Sequence, residues 1–317
     1  MLYGIASSSQ GMLQLMSVYE ILDGRFKRLI KQTERLELLS TGCRWAEGPA
    51  YQAGGRYVVW SDIPNNRMMR YDEIDGHVGV FRAPSQNSNG NTIDRVGRLA
   101  TCEHRTRCVT RTEHDGTITI LADRYNNKRL NSPNDLVVTS DDAIWFTDPT
   151  YGIQSDYEGL KGDSEIGSSN VYRIEPKTGA VVAVVTDFIQ PNGLAFSVDE
   201  TRLYIADSGR TEGAQFPAHI RVFDVGKGGK LTGGRVFAEC ENGVFDGFRV
   251  DEDGRIWAST ATGIDCYEVD GTLIGRIRVP EVVSNCVFGG LMRNRLFITA
   301  TTSLYSVYVT VRGVKTY

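Results

Sequence analysis

The 317-residue sequence has four histidines, and none of its six cysteines stands in a CxxC pair. Neither a Cys/His zinc site nor a thioredoxin-like redox motif can be read from it. A Gly-x-Ser-x-Gly elbow is missing, which leaves an α/β-hydrolase mechanism without its nucleophile, and no P-loop occurs. No apolar run approaches the length that spans a bilayer. The net charge of -4 gives no basic footprint for nucleic acid. These absences leave a small molecule as the expected partner, with no nucleic acid and no membrane, and they leave the oligomeric state open. Met1 to Leu15 lack a basic n-region and a continuous apolar h-region, which argues against a cleaved signal. They read as a disordered or non-native extension, with Met16 as an alternative start. The cysteines lie mostly in apolar runs, where a free thiol packs as a small hydrophobe. A reducing, cytoplasmic setting is therefore expected, although the even cysteine count stands against it.

What the sequence does have is short apolar runs divided by turns. Only residues 17–36 favour a helix, with Tyr19, Ile21, Leu22, Phe26, Leu29 and Ile30 on one face. Residues 1–34 are accordingly read as an extension with a short helix. Further on, runs rich in Val, Ile, Tyr, Phe and Trp alternate with Asp-Gly turns at 75–76, 115–116, 253–254 and 270–271. Asp-Gly between such runs marks β-hairpins.

The strands group into six units, each opening on a polar residue beside Gly, Pro or a small residue: Glu47, Asn89, Asn134, Asn192, Asp246 and Asn285. Their spacings are 42, 45, 58, 54 and 39 residues. A period of roughly 40–50 residues with about four strands per unit is that of propeller blades. Residues 35–317 are therefore expected to form one all-β, six-bladed β-propeller. The two longer units carry insertions at 151–169 and 208–218. Too few strands follow Asn285 for a full blade, so Arg35–Ser40 is expected to supply the missing strand and close the ring.

In a propeller the first strand of each blade lies innermost, so the six polar residues should meet in one circle. Two carboxylates and four amides all offer oxygen, the donor that hard cations select. A divalent cation would also cancel two buried carboxylates that otherwise repel each other. The competing reading, Asx side chains capping turns, suits any one of them better than all six at equivalent places.

At these residues the sequence resembles the family that joins gluconolactonases with senescence marker protein (regucalcin), in its gluconolactonase branch. The stretches that carry the resemblance are Trp45-Ala-Glu-Gly-Pro-Ala-Tyr51, Cys102-Glu-His104, Arg129-Leu-Asn-Ser-Pro-Asn-Asp135, Ile144-Trp-Phe-Thr-Asp-Pro-Thr-Tyr-Gly152, Gln190-Pro-Asn-Gly-Leu-Ala-Phe196, Asp246-Gly-Phe-Arg-Val-Asp251 and Cys286-Val-Phe-Gly-Gly290. It implies a metal-dependent hydrolase opening a sugar lactone, with one divalent ion: calcium first, with zinc, magnesium or manganese as alternatives. Carried over, the ligands are Glu47, Asn134, Asn192 and Asp246. Asp246 doubles as general base, or else a metal-bound hydroxide serves, and Asn89 contacts substrate. Phe245 departs from the family, which commonly has Pro there. The resemblance also admits phosphofluoridate hydrolysis on the same scaffold, and a non-enzymatic metal- or sugar-binding propeller stays open.

Further candidates come from the residues themselves. His104 could shuttle a proton or bond a lactone carbonyl, or it could be a strand-end histidine satisfied by backbone. Tyr151 and Asn285 join the candidate substrate contacts. Asp148 and Asp207, each ending a second strand, either orient an amide ligand or cap turns.

Overall fold

Gly116 takes φ 85° in the turn between Cys108–Thr112 and Ile118–Ala122, a left-handed conformation that glycine adopts without strain. Hairpins of this kind build the blades. The computed structural model describes residues 17–315, in which six antiparallel sheets of four or five strands stand around one axis, and a further two-stranded pair joins Arg124–Tyr125 to Lys128–Arg129. Four blades consist of consecutive strands and begin with inner strands Ala46–Gln52, Ser88–Ile93, Leu136–Val138 and Pro191–Phe196. The fifth begins with Phe248–Val250 and the sixth with Val283–Gly289. These are the six units read from the sequence.

The ring closes as expected. Glu37–Thr41 pairs antiparallel with Ser303–Tyr308, with Leu38 opposite Tyr305, and completes the sixth blade. The expected helix over 17–36 does not form, and residues 1–15 lie outside the described residues. Tyr19–Ile21 instead adds a fifth strand to the fifth blade, against Leu273–Arg278, and Gly24–Arg28 forms a short 3-10 turn. The reason is competition for backbone hydrogen bonds. Leu22 and Asp23 both donate to the Ile274 carbonyl, and the Asp23 carboxylate accepts from Arg25 N at 2.8 Å. Phe26 is then fully buried against Gly275 and Trp257. A sheet edge and an apolar seat outweigh a marginal helix.

The core lies between neighbouring blades. Trp60, Trp145 and Trp257 are fully buried on the second strands of blades one, three and five. Replacing any of them by alanine would cost about 3–5 kcal/mol. All six cysteines are free and buried. Among the described residues no helix is long and apolar enough to cross a membrane.

Candidate functional site

All six inner strands run in the same direction along the axis, so their starting ends meet at one mouth of the channel and their finishing ends at the other. A cavity of about 400 Å³ opens at the starting mouth, lined by Glu47, Asn89, Asn134, Asn192 and Asp246. A second cavity of about 180 Å³ at the far mouth is lined mainly by Pro, Val, Ile and Phe side chains from the finishing ends. The chemistry-bearing residues collect at the first.

Close approach of the inner strands explains the residues beside the polar ring. Gly247 faces the Asn285 side chain so closely that a Cβ would overlap it. Backbone bonds link the strands in turn: Gly90 N to Asn134 O at 2.7 Å, Gly193 N to Asp246 O at 3.0 Å and Gly247 N to Ser284 O at 2.7 Å. Ser284 Oγ donates to Ala46 O at 2.6 Å and ties the last blade to the first.

Each predicted residue has a definite place. Glu47, Asn89, Asn134 and Asn192 are buried in the cavity wall, while Asp246 stays partly open to the cavity. Asn285 lies below them. Its amide donates to Glu47 at 3.3 Å and to Asp135 at 3.4 Å, and its oxygen accepts from Cys286 N at 2.8 Å. Its polar atoms are thus engaged within the protein, and it is not among the cavity-lining residues. Tyr151 lines the cavity from the first insertion and bonds Thr211 of the second at 3.1 Å. Gln154 and Glu212 tie the same two insertions at 2.7 Å. Phe245 packs edge-on against Tyr267, and its carbonyl accepts from Ser208 Oγ at 2.6 Å. The departure from proline therefore fills the core behind the site.

His104 is fully buried behind Asn89 and is absent from the cavity wall. One ring nitrogen, Nδ1, is 3.1 Å from the Glu158 carbonyl and the other, Nε2, is 3.3 Å from Asn89 Nδ2. Burial lowers its pKa to about 4. A cationic proton shuttle at neutral pH does not fit this setting.

Asp148 and Asp207 form no hydrogen bond to the amides of Asn134 or Asn192 among those described. They brace the loops that lead to them. Asp148 accepts from Asn131 N at 2.8 Å and Asp207 from Ile189 N at 3.1 Å, each three residues before its ring amide. Asp62 repeats the arrangement, accepting from Arg44 N at 2.9 Å ahead of Glu47. Burial pushes Asp148 up to about 7. Its folded pKa lies above the unfolded value, so the contribution is present at low pH and is lost as pH rises through about 7. We expect Asp148→Asn to remove that dependence. Its Tm relative to the parent should rise by several degrees from pH 4 to pH 8, as a thermal melt series would show.

Sequence reasoning missed Asp135, Glu158 and Arg210. Asp135 sits in the channel beneath the cavity, 3.6 Å from Arg249. Glu158 and Arg210 come from the insertions, and Arg210 is anchored to the carbonyls of Cys240 at 3.2 Å and Gly243 at 3.1 Å. Adjacency to Asn134 was the available signal for Asp135; the insertions carry no repeat to read.

The electrostatics are those of a site short of positive charge. Burial, then repulsion from Asp246 and Asp135, raises Glu47 well above the usual carboxylate range. Burial, then Glu158 and Asp135, raises Asp246 to about 8. Burial also raises Asp135 despite Arg249. A divalent cation among Glu47, Asn134, Asn192 and Asp246 would supply the missing charge, and oxygen donors suit a hard ion. No cluster of three or more His, Cys, Asp or Glu side chains fit for a metal occurs among the described residues. The quartet has two carboxylates and is completed by amides.

Known proteins share this architecture. Gluconolactonase of Zymomonas mobilis is 29% identical over 308 residues, covering 89% of this chain and 83% of its own. Pentonolactonase XacC of Haloferax volcanii is 29% identical and covers 83% of each chain. The structure of the gluconolactonase XC5397 from Xanthomonas campestris superposes with TM-score 0.86 at 37% identity, covering 92% of this chain and 94% of its own. Residues 45–302 match the family described as SMP-30/Gluconolactonase/LRE-like region, and the chain belongs to that family.

Proposed function

We propose that the protein is a hydrolase that opens a sugar lactone, with one divalent cation held by Glu47, Asn134, Asn192 and Asp246. The observation that carries the reading is the convergence of two carboxylates and two amides from four different blades on one cavity, with a charge deficit that a cation would cancel. The lactonase relatives point to the same substrate class. When bound, the cation supplies Lewis-acid polarisation of the lactone carbonyl, and calcium is our first choice because all four donors are oxygens.

The chain's own residues do the rest. Asp246 is partly open to the cavity and would accept a proton of the attacking water at a carboxylate oxygen. As the water oxygen bonds the carbonyl carbon and the ring C–O bond breaks, the same proton would pass to the departing ring oxygen, giving the hydroxy acid. Asn89 holds the substrate. Trp45, Val244, Val282 and Val283 form an apolar part of the wall that seats the ring and limits water, and the hydroxyls of Tyr151, Ser208 and Thr211, bonded among themselves and to backbone, complete the lining. The test is proton release from glucono-1,5-lactone, an aromatic ester and an organophosphate, each with and without chelator. We expect turnover on the lactone that falls at least tenfold on chelation and returns with calcium. Turnover of the organophosphate alone, or of nothing, would overturn the assignment.

A further inference from the structure

We propose that His104 is a positioning residue that locks the Asn89 amide with its carbonyl oxygen turned away from the ring, as a dedicated acceptor for a substrate hydroxyl. The Glu158 carbonyl can only accept, so His104 Nδ1 must carry a proton to bond it across 3.1 Å. A buried, neutral imidazole then has a bare Nε2, which can only accept. Its partner across 3.3 Å must be the donor end of Asn89, the Nδ2 amino group. The amide cannot rotate by half a turn without setting oxygen against a lone pair. Asn89 Oδ1 is consequently fixed at the opposite side, and it is a buried atom with no hydrogen-bond partner among the described residues. Asn89 lines the cavity, so the orphan acceptor belongs to whatever fills it.

The first insertion holds the imidazole in place. Glu158 supplies the carbonyl, and Gly152 packs so close to the ring that a Cβ there would overlap it. The segment that walls the cavity thus also sets the tautomer that orients Asn89. An oxygen with no donor of its own selects ligands that bring one: a hydroxylated lactone is matched, and an unsubstituted ring leaves the acceptor bare.

The substrate in this inference rests on the lactonase reading, but the geometry does not, and two measurements separate them. Histidine-labelled protein contains only four histidines, so long-range proton–nitrogen correlation resolves His104 directly. We expect a neutral ring protonated on Nδ1 from pH 8 down to pH 5. An Nε2-protonated ring or an imidazolium in that range overturns the lock. Kinetically, His104→Phe removes the acceptor and frees the amide. KM for glucono-1,5-lactone should rise about tenfold, the usual worth of one hydrogen bond, with kcat within a few-fold. KM for δ-valerolactone should barely change, and His104→Gln, whose amide oxygen can accept, should recover part of the loss. Equal losses on both lactones would make His104 merely structural and overturn the proposal. If His104→Phe fails to fold, His104→Gln and the tautomer decide. If the parent opens no lactone, the proposed function falls while the spectrum still tests the lock.

Discussion

Asp246→Asn is expected to lower kcat for lactone opening by about a hundred- to ten-thousand-fold, the usual contribution of a positioned proton acceptor. The substitution keeps an oxygen at nearly the same place and removes the basic electron pair and one charge. Its backbone anchor, a bond from Asp246 N to Ser259 Oγ at 3.0 Å, does not involve the side chain, so the loop should hold. Affinity for the cation should weaken yet be recoverable at high ion concentration. Steady-state kinetics at saturating calcium make the distinction. If kcat returns to nearly the parent level, Asp246 is a ligand and the proton of water leaves by another route. The control is Asn89→Ala, which should mainly raise KM if, as proposed, that residue holds substrate.

Glu47→Gln carries the second large effect, and its sign depends on the ion. In the parent, calcium at about a hundred times its Kd should stabilise the fold by about 2.7 kcal/mol, a rise of several degrees in Tm. The variant, with one carboxylate left among the four donors, should lose most of that rise. Under chelation the order reverses. Glu47 and Asp246 both have folded pKa values above their unfolded ones, because burial disfavours the charged forms and nearby carboxylates repel them: Asp246 and Asp135 at Glu47, Glu158 and Asp135 at Asp246. The folded chain then binds more protons than the unfolded chain, so stability of the ion-free parent falls as pH rises from about 4 past 8. Glu47→Gln should therefore melt above the parent in chelator at pH 8 and below it in excess calcium. Identical melting of both proteins with and without ion would remove the cation from the site.

The blades were legible because their signal repeats. Polar residues from Glu47 to Asn285 mark the starts of six inner strands, and the spacing alone separates a propeller from a sandwich. The closing strand was legible as a deficit, since the units need four strands and the last had three. Residues 17–36 misled because Tyr19, Phe26 and Ile30 are spaced as on a helix, yet they are buried against the edges of two blades that a local pattern cannot show. Within the site, alternation fails where the inner strand has not yet begun. Asp135 follows Asn134 directly, and the regular strand starts only at Leu136, so consecutive side chains both reach the channel. His104 was visible as a residue, but its partners are an amide 15 positions away and a carbonyl 54 positions away. Glu158 and Arg210 sit in insertions where nothing recurs.

The sixth blade has a consequence for how the molecule is made. It joins Glu37 to Ser306 across 269 positions, and the adjoining Asn285–Glu47 contact spans 238. A ribosome delivers one half of this seam at the start of synthesis and the other at the end. The nascent chain can stack five blades early, with both open edges waiting for partners and prone to pair wrongly. Glu47 gains its amide neighbour only when the last blade arrives, so the floor of the cavity and the ring are completed in the same event. A chain stalled before Asn285 has most of the propeller, with Glu47 still lacking the amide that steadies it. If the proposed cation binds, its binding would report closure of the ring, and a molecule that opens at the seam should release the ion before any blade unravels.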